Sequence, residues 1–84
     1  MITLKTLIIG LGNIGMLYDL NHANKDLTLT HAKAVSRNKN FELVGAVEKD
    51  NYKRKLFENF YKRKAFKEID KAIKDTSPDL IIVS

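Results

Sequence analysis

The sequence contains no cysteine. That excludes a disulfide scaffold and any thiolate metal site, and it suits a reducing compartment. Histidine is scarce as well. His22 and His31 alone make a weak case for a metal centre, and none is expected. A single proline and four glycines set the chain apart from Pro/Gly-rich low-complexity sequences. Long apolar runs are missing too. The longest candidate, Leu7 to Leu17, falls short of the ~18 residues that suggest a membrane span. Gly10, Gly12 and Gly15 interrupt it, Asp19 follows at once, and no small-x-small cleavage site is evident. A secretory signal is therefore not expected, and the expected location is cytoplasmic, away from any membrane.

What is present is the composition of an ordinary globular domain: 84 residues, 44% hydrophobic and 30% charged. Enough aliphatic side chains exist to offset the entropy of ordering the backbone. The length allows one domain at most, or a piece of one, and a lone core of this size is marginal. A formal charge of +5 favours anionic partners, whether nucleotides, nucleic acid or lipid headgroups, without choosing among them.

The pattern of residues alternates strands and helices. Thr3 to Ile9 reads as a strand buried on both faces, because Leu7-Ile8-Ile9 is continuously apolar. Asn13 to about Leu20 opens a helix, and the polar stretch from Asn21 to Leu29 interrupts it. Thr30 is suited to cap a short helix from His31 to Ser36, ended by Asn38-Lys39-Asn40. Phe41 to Val47 is the next strand, with Gly45 inside it signalling close approach of a neighbouring backbone.

Asp50 can cap a helix to about Tyr61 whose Tyr52, Leu56, Phe57 and Phe60 are expected to form one apolar face. Ala65-Phe66 reads as a very short strand and Lys67 to Asp75 as a helix with Ile69, Ala72 and Ile73 on one side. Pro78 marks its end, and Leu80 to Val83 is a last buried strand. This order predicts an α/β fold: a Rossmann-like, three-layer parallel sheet with right-handed crossovers, amounting to the first half of a doubly wound domain. An open sheet edge after the last strand offers a place for copies to pair, so a homo-oligomer is one expected state.

Three of the four glycines fall within one hexapeptide, Gly10-Leu11-Gly12-Asn13-Ile14-Gly15, which matches G-x-G-x-x-G. Gly10 permits the tight turn out of the strand, Gly12 lets a pyrophosphate approach the backbone, and Gly15 allows the helix to pack on the sheet. The free N–H groups of Asn13 and Ile14 then face the phosphates at the positive end of the helix dipole. The bland alternative is a glycine turn without ligand. Leaving a strand and opening a helix is the context that favours the phosphate reading.

Glu48 directly follows the second strand, where a carboxylate can accept hydrogen bonds from both adenosine ribose hydroxyls. The alternative is a solvated carboxylate at a strand end; Asp50 competes for the role but better suits a helix cap. Glu48 would repel the 2′-phosphate of NADP, which favours NAD, yet Lys49, Lys53 and Arg54 are close enough in sequence to neutralise such a phosphate.

Four segments together resemble the amino-terminal domain of the glucose–fructose oxidoreductase/inositol dehydrogenase/MocA (Gfo/Idh/MocA) family. They are Leu7 through Gly15, then Thr30-His31-Ala32-Lys33-Ala34-Val35, Phe41 through Glu48, and Pro78 through Ser84. The resemblance implies NAD(P)-dependent oxidation or reduction of sugars, inositols or their derivatives. It places Glu48 at the ribose where the family usually has Asp, Lys53 near a basic position flanking the adenine, and Ser84 at the start of a loop beside the cofactor. It also implies that residues 1–84 are a partial NAD(P)-binding domain. The family's Glu-Lys-Pro segment and its catalytic His or Asp match nothing in this chain, so no catalytic residue is expected here and no turnover from it alone.

Two other classes compete. One is a nucleotide-sensing module that binds without chemistry. The other is a basic nucleic-acid-binding domain, suggested by Lys53-Arg54-Lys55, Lys62-Arg63-Lys64 and Lys67 with aromatics among them. The expected core placement of Leu56, Phe57 and Phe60 argues for a solvated basic helix surface instead, with no nucleic-acid partner.

Overall fold

The computed structural model of the chain describes residues 3–11 and 31–83. The expected helix from Asn13, the polar stretch to Leu29 and the Thr30 cap lie outside them. The described elements are β1 (Leu4–Ile9), α1 (His31–Arg37), β2 (Phe41–Val47), α2 (Asn51–Tyr61), β3 (Ala65–Phe66), α3 (Ile69–Thr76) and β4 (Leu80–Val83). The four strands form one sheet in the order β3-β2-β1-β4, and every pairing is parallel.

This order has a consequence for the helices. The chain moves outward from β1 to β2 to β3 and then returns past both to β4. Crossovers of constant hand must therefore lie on one face for the outward steps and on the other for the return. The core divides accordingly. Ile8, Leu43, Ala46 and Ala65 pack with Ala32 and Val35 of α1 and Phe57 of α2. Leu7, Val47 and Phe66 pack on the opposite face with Ala72 of α3.

Local chemistry sets each boundary. Asn38 ends α1 and turns the chain: its Oδ1 accepts from the Asn40 N–H at 2.9 Å and its carbonyl from the Phe41 N–H at 3.0 Å. Asp50 caps α2 by accepting from the Tyr52 N–H at 2.9 Å, as expected of a carboxylate at that position. Ser77, in the left-handed conformation, closes α3 just before Pro78.

The strand Phe41–Val47 carries a β-bulge. Thr6 pairs with Leu43 but Leu7 pairs with Gly45, so Val44 is an extra residue in β2. The bulge sets Leu43 and Ala46 on the same face, which strict alternation would not. Gly45 then lies where a Cβ would come within 2.9 Å of the Lys64 carbonyl and 3.3 Å of the Phe66 ring. The close backbone approach expected at this glycine is present.

Two expectations are corrected. The aromatic residues of α2 do not share one buried face: Phe57 is fully buried, but Tyr52 and Phe60 are 67% and 61% exposed. The inner side of the helix is completed by Leu56, Tyr61 and the stems of Lys53 and Arg54. The platform beneath is β2 and a two-residue edge strand, too narrow to cover a second row of aromatics. Phe60 instead packs edge-on against Tyr61, with ring centroids 4.9 Å apart.

The strand Leu80–Val83 is not buried on both faces either. Ile81 is 39% and Val83 74% exposed, because β4 is the edge of the sheet among the described residues and α3 lies over β1, β2 and β3.

Candidate functional site at the carboxyl ends of the strands

Parallel strands align their carboxyl ends, and the loops that follow β1 and β2 meet there. Gly10 leaves β1 at φ 95°, a conformation that a residue with a Cβ rarely adopts. Its N–H still donates to the Val47 carbonyl at 2.8 Å, so the turn is tied to the end of β2. One residue on, the chain folds into the core: Leu11 is fully buried.

Glu48 closes the arrangement from the other strand. Its backbone N–H donates to the Phe66 carbonyl at 2.8 Å, extending the β2–β3 ladder by one residue. Its side chain reaches back to the glycine turn, where Oε1 accepts from the Leu11 N–H at 2.8 Å, and Oε2 accepts from the Asp50 N–H at 2.9 Å. One carboxylate thus links the turn after β1 to the start of α2. Burial opposes its ionisation most strongly. The two backbone N–H bonds and the positive charge of Lys53 together outweigh that, and they hold the carboxyl below its ordinary pKa range.

A cleft of about 380 Å³ opens beside this link, lined by Ile9, Gly10, Val47, Glu48, Lys49, Lys67, Glu68 and Ile69. Its floor is apolar strand end. Its rim sets Glu48 and Glu68 against Lys49 and Lys67, so both charge signs flank an apolar base. A larger concavity of about 470 Å³ lies at the other end of β2, between Phe41, Tyr61 and Arg63. There Arg63 Nε donates to the Leu43 carbonyl at 3.0 Å and ties the end of α2 to the sheet.

Of the cofactor-binding residues expected from sequence, the structure brings Gly10 and Glu48 together at one cleft. Lys53 lies on α2, half-buried, acting on Glu48 through its charge and not lining the cleft. Gly12, Asn13, Ile14, Gly15 and Ser84 lie outside the described residues. Arg54 is not available to a phosphate: one guanidinium nitrogen donates to the carbonyls of Glu48 and Lys49 at 2.7 Å each, and the other to Asn51 Oδ1.

The residues that sequence reasoning missed are Lys67, Glu68 and Ile69, at the start of α3. No spacing or motif marks them, because only the sheet order brings that helix start to the mouth of β1. His31 begins α1, and its Nδ1 is shielded without a hydrogen-bond partner among the described residues. No cluster of metal-ligating side chains occurs among the described residues, and no described helix is long and apolar enough to cross a membrane. No protein family, no curated protein and no solved structure matches this chain.

Proposed function

We propose that this chain holds the adenosine and pyrophosphate of NAD for an oxidoreductase of the Gfo/Idh/MocA kind. In the intact enzyme, hydride moves between the nicotinamide and a sugar, an inositol or a related derivative in the cytoplasm. The catalytic groups belong to a substrate domain that these 84 residues do not include. A single observation carries the reading: the glycine turn after β1 and the carboxylate after β2 are joined by the Leu11–Glu48 hydrogen bond at the carboxyl ends of a parallel sheet.

The strand order supports it. The order 3-2-1-4 is that of the first strands of a doubly wound dinucleotide-binding fold, in which ligands sit outside the carboxyl ends where the order reverses. The residues also fit the cofactor. A carboxylate offers about four lone-pair sites, and two backbone N–H groups occupy one on each oxygen of Glu48. The remaining sites suit a ribose diol. The cleft is within the usual range of roughly 300–1,000 Å³ for small-molecule sites. When bound, the cofactor supplies the hydride carrier. The chain's own contribution at the described residues is to orient the sugar through the Glu48 carboxylate, which the Leu11 N–H holds beside the glycine turn.

NAD is preferred over NADP, because a 2′-phosphate would stand against the Glu48 carboxylate while Arg54 is held in the turn. A nucleic-acid role is less well supported. Although Tyr52 and Phe60 are exposed, Arg54 and Arg63 are engaged by backbone carbonyls, and the Lys64 ammonium lies 5.1 Å from the Phe66 ring centroid.

Calorimetric titration of the 84-residue chain with NAD and NADP tests the proposal. Weak binding of NAD, abolished by Gly12→Val, is the expected result. A folded chain that gives no heat with either nucleotide at millimolar concentration would overturn it.

A further inference from the structure

The Glu48 carboxylate is held at both oxygens, by groups of different origin. Oε1 accepts from the Leu11 N–H, which the turn after β1 supplies, and Oε2 from the Asp50 N–H in the loop that leads into α2. The last torsion of a glutamate is broad, so its carboxylate plane has no strongly preferred setting of its own. A bond at Oε1 alone leaves the group free to pivot about that contact. The Asp50 N–H stops the pivot, and it does so only if the loop aims it at Oε2.

The aim comes from the other side of the loop. Arg54 stands in the first turns of α2, and helical side chains lean back toward the N-terminus. Its Nη1 donates to the carbonyls of Glu48 and Lys49 at 2.7 Å each, and its Nη2 to Asn51 Oδ1 at 3.2 Å. The Lys49 carbonyl and the Asp50 N–H belong to one planar trans peptide, so they point in opposite directions. Holding the carbonyl against Arg54 therefore turns the N–H toward Glu48. A cation near the start of a helix is opposed by the helix dipole, and these acceptors are what keep the guanidinium there.

We propose that Arg54 is a positioning residue for Glu48: by clamping the loop between β2 and α2 it fixes the plane in which the carboxylate faces the cleft. The effect runs through the peptide. Besides burial and the two N–H bonds, the charges that act on the Glu48 carboxylate are those of Lys53 and Asp50, and Lys49, Lys67 and Glu68 line the same cleft. Only the consequence for a bound ribose rests on the nucleotide reading; the clamp itself is tested without nucleotide.

In the isotope-labelled full chain, the amide protons of Leu11 and Asp50 should shift together as Glu48 is protonated, and Glu48→Gln should abolish both shifts. Arg54→Met keeps the apolar stem and removes the fork. With the circular dichroism spectrum retained, the Leu11 shift should persist and the Asp50 shift should be largely lost. Arg54→Lys keeps the charge without the planar fork and should give an intermediate Asp50 shift. An undiminished Asp50 shift in folded Arg54→Met, or in Arg54→Lys where Arg54→Met does not fold, would overturn the proposal. Equal loss at Leu11 and Asp50 would do the same, because general loosening of the fold moves both.

For the sugar, calorimetry compares NAD with its analogue lacking the adenosine 2′-hydroxyl. The unaltered chain should prefer NAD about tenfold, the scale of one hydrogen bond to a charged group. Arg54→Met should bring the two affinities toward equality. A preference that survives in Arg54→Met would overturn the positioning role at the ribose. An unaltered chain that binds neither compound would instead sink the nucleotide reading, with the amide shifts still deciding on the clamp.

Discussion

The carboxylate of Glu48 accepts a 2.8 Å hydrogen bond from the backbone N–H of Leu11, thirty-seven residues earlier in the chain. The bond joins a turn that exists because Gly10 has no side chain to a strand end that exists because β2 pairs with both β1 and β3.

That bond makes stability depend on pH in a definite sense. The carboxyl of Glu48 is held below its ordinary range in the folded state. Its stabilising contribution is therefore complete above the unfolded-state pKa and is lost as pH falls through the folded one. Glu48→Gln removes the dependence and also turns an amide NH₂ against the N–H of Leu11 or Asp50. The expected loss at neutral pH is about 1–3 kcal/mol. Urea denaturation of both proteins at neutral pH and near pH 3 measures it: the gap between them should narrow in acid. A gap of constant size would show that the charge of Glu48 contributes nothing.

Cofactor preference should follow the same side chain. Glu48→Ser removes the repulsion toward a 2′-phosphate while leaving Lys49 and Lys67 at the cleft. The ratio of NAD to NADP affinity, read by titration, should fall at least several-fold. An unchanged ratio would place the adenosine ribose somewhere other than beside Glu48.

Gly45 should tolerate no side chain. An added Cβ meets the Lys64 carbonyl at 2.9 Å, and backbone cannot swing aside as the end of a side chain can. Gly45→Ala is expected to cost about 1–3 kcal/mol by overpacking, visible as a lowered denaturation midpoint. A neutral or stabilising outcome would mean that β3 is not seated against β2 as described.

Two phenylalanines three residues apart should behave differently. Phe57 is fully buried under the sheet, so Phe57→Ala should cost about 3–5 kcal/mol. In a domain this small, that approaches the whole folding free energy. Phe60 is 61% exposed, and its truncation should change stability by no more than about 0.5–1 kcal/mol, the scale of its ring contact with Tyr61. Equal losses at the two positions would contradict the orientation of α2.

The element order and most boundaries could be read from local features: the apolar run ending at Ile9, the Asp50 cap, the Pro78 stop and the break at Asn38. These signals act within a few residues, through backbone sterics and short-range hydrogen bonds, so the amino-acid order alone specifies them. It also marked Gly10 and Glu48 as residues to watch, because a glycine after one strand and a carboxylate after the next each have a local reason to stand out.

What it did not reveal depends on position in three dimensions. Periodicity grouped Tyr52 and Phe60 with Phe57, but how wide a face a helix buries depends on the width of the sheet beneath it. Apolar content made β4 look fully enclosed, yet an edge strand is defined by the neighbour it lacks. The start of α3 reaches the cleft only because β4 returns to the far side of β1. Linear order specified the pieces and their ends; the tertiary arrangement decided which side chains face water, which carbonyls hold Arg54, and which amides Glu48 joins, because each of those outcomes depends on distances between residues far apart in the chain.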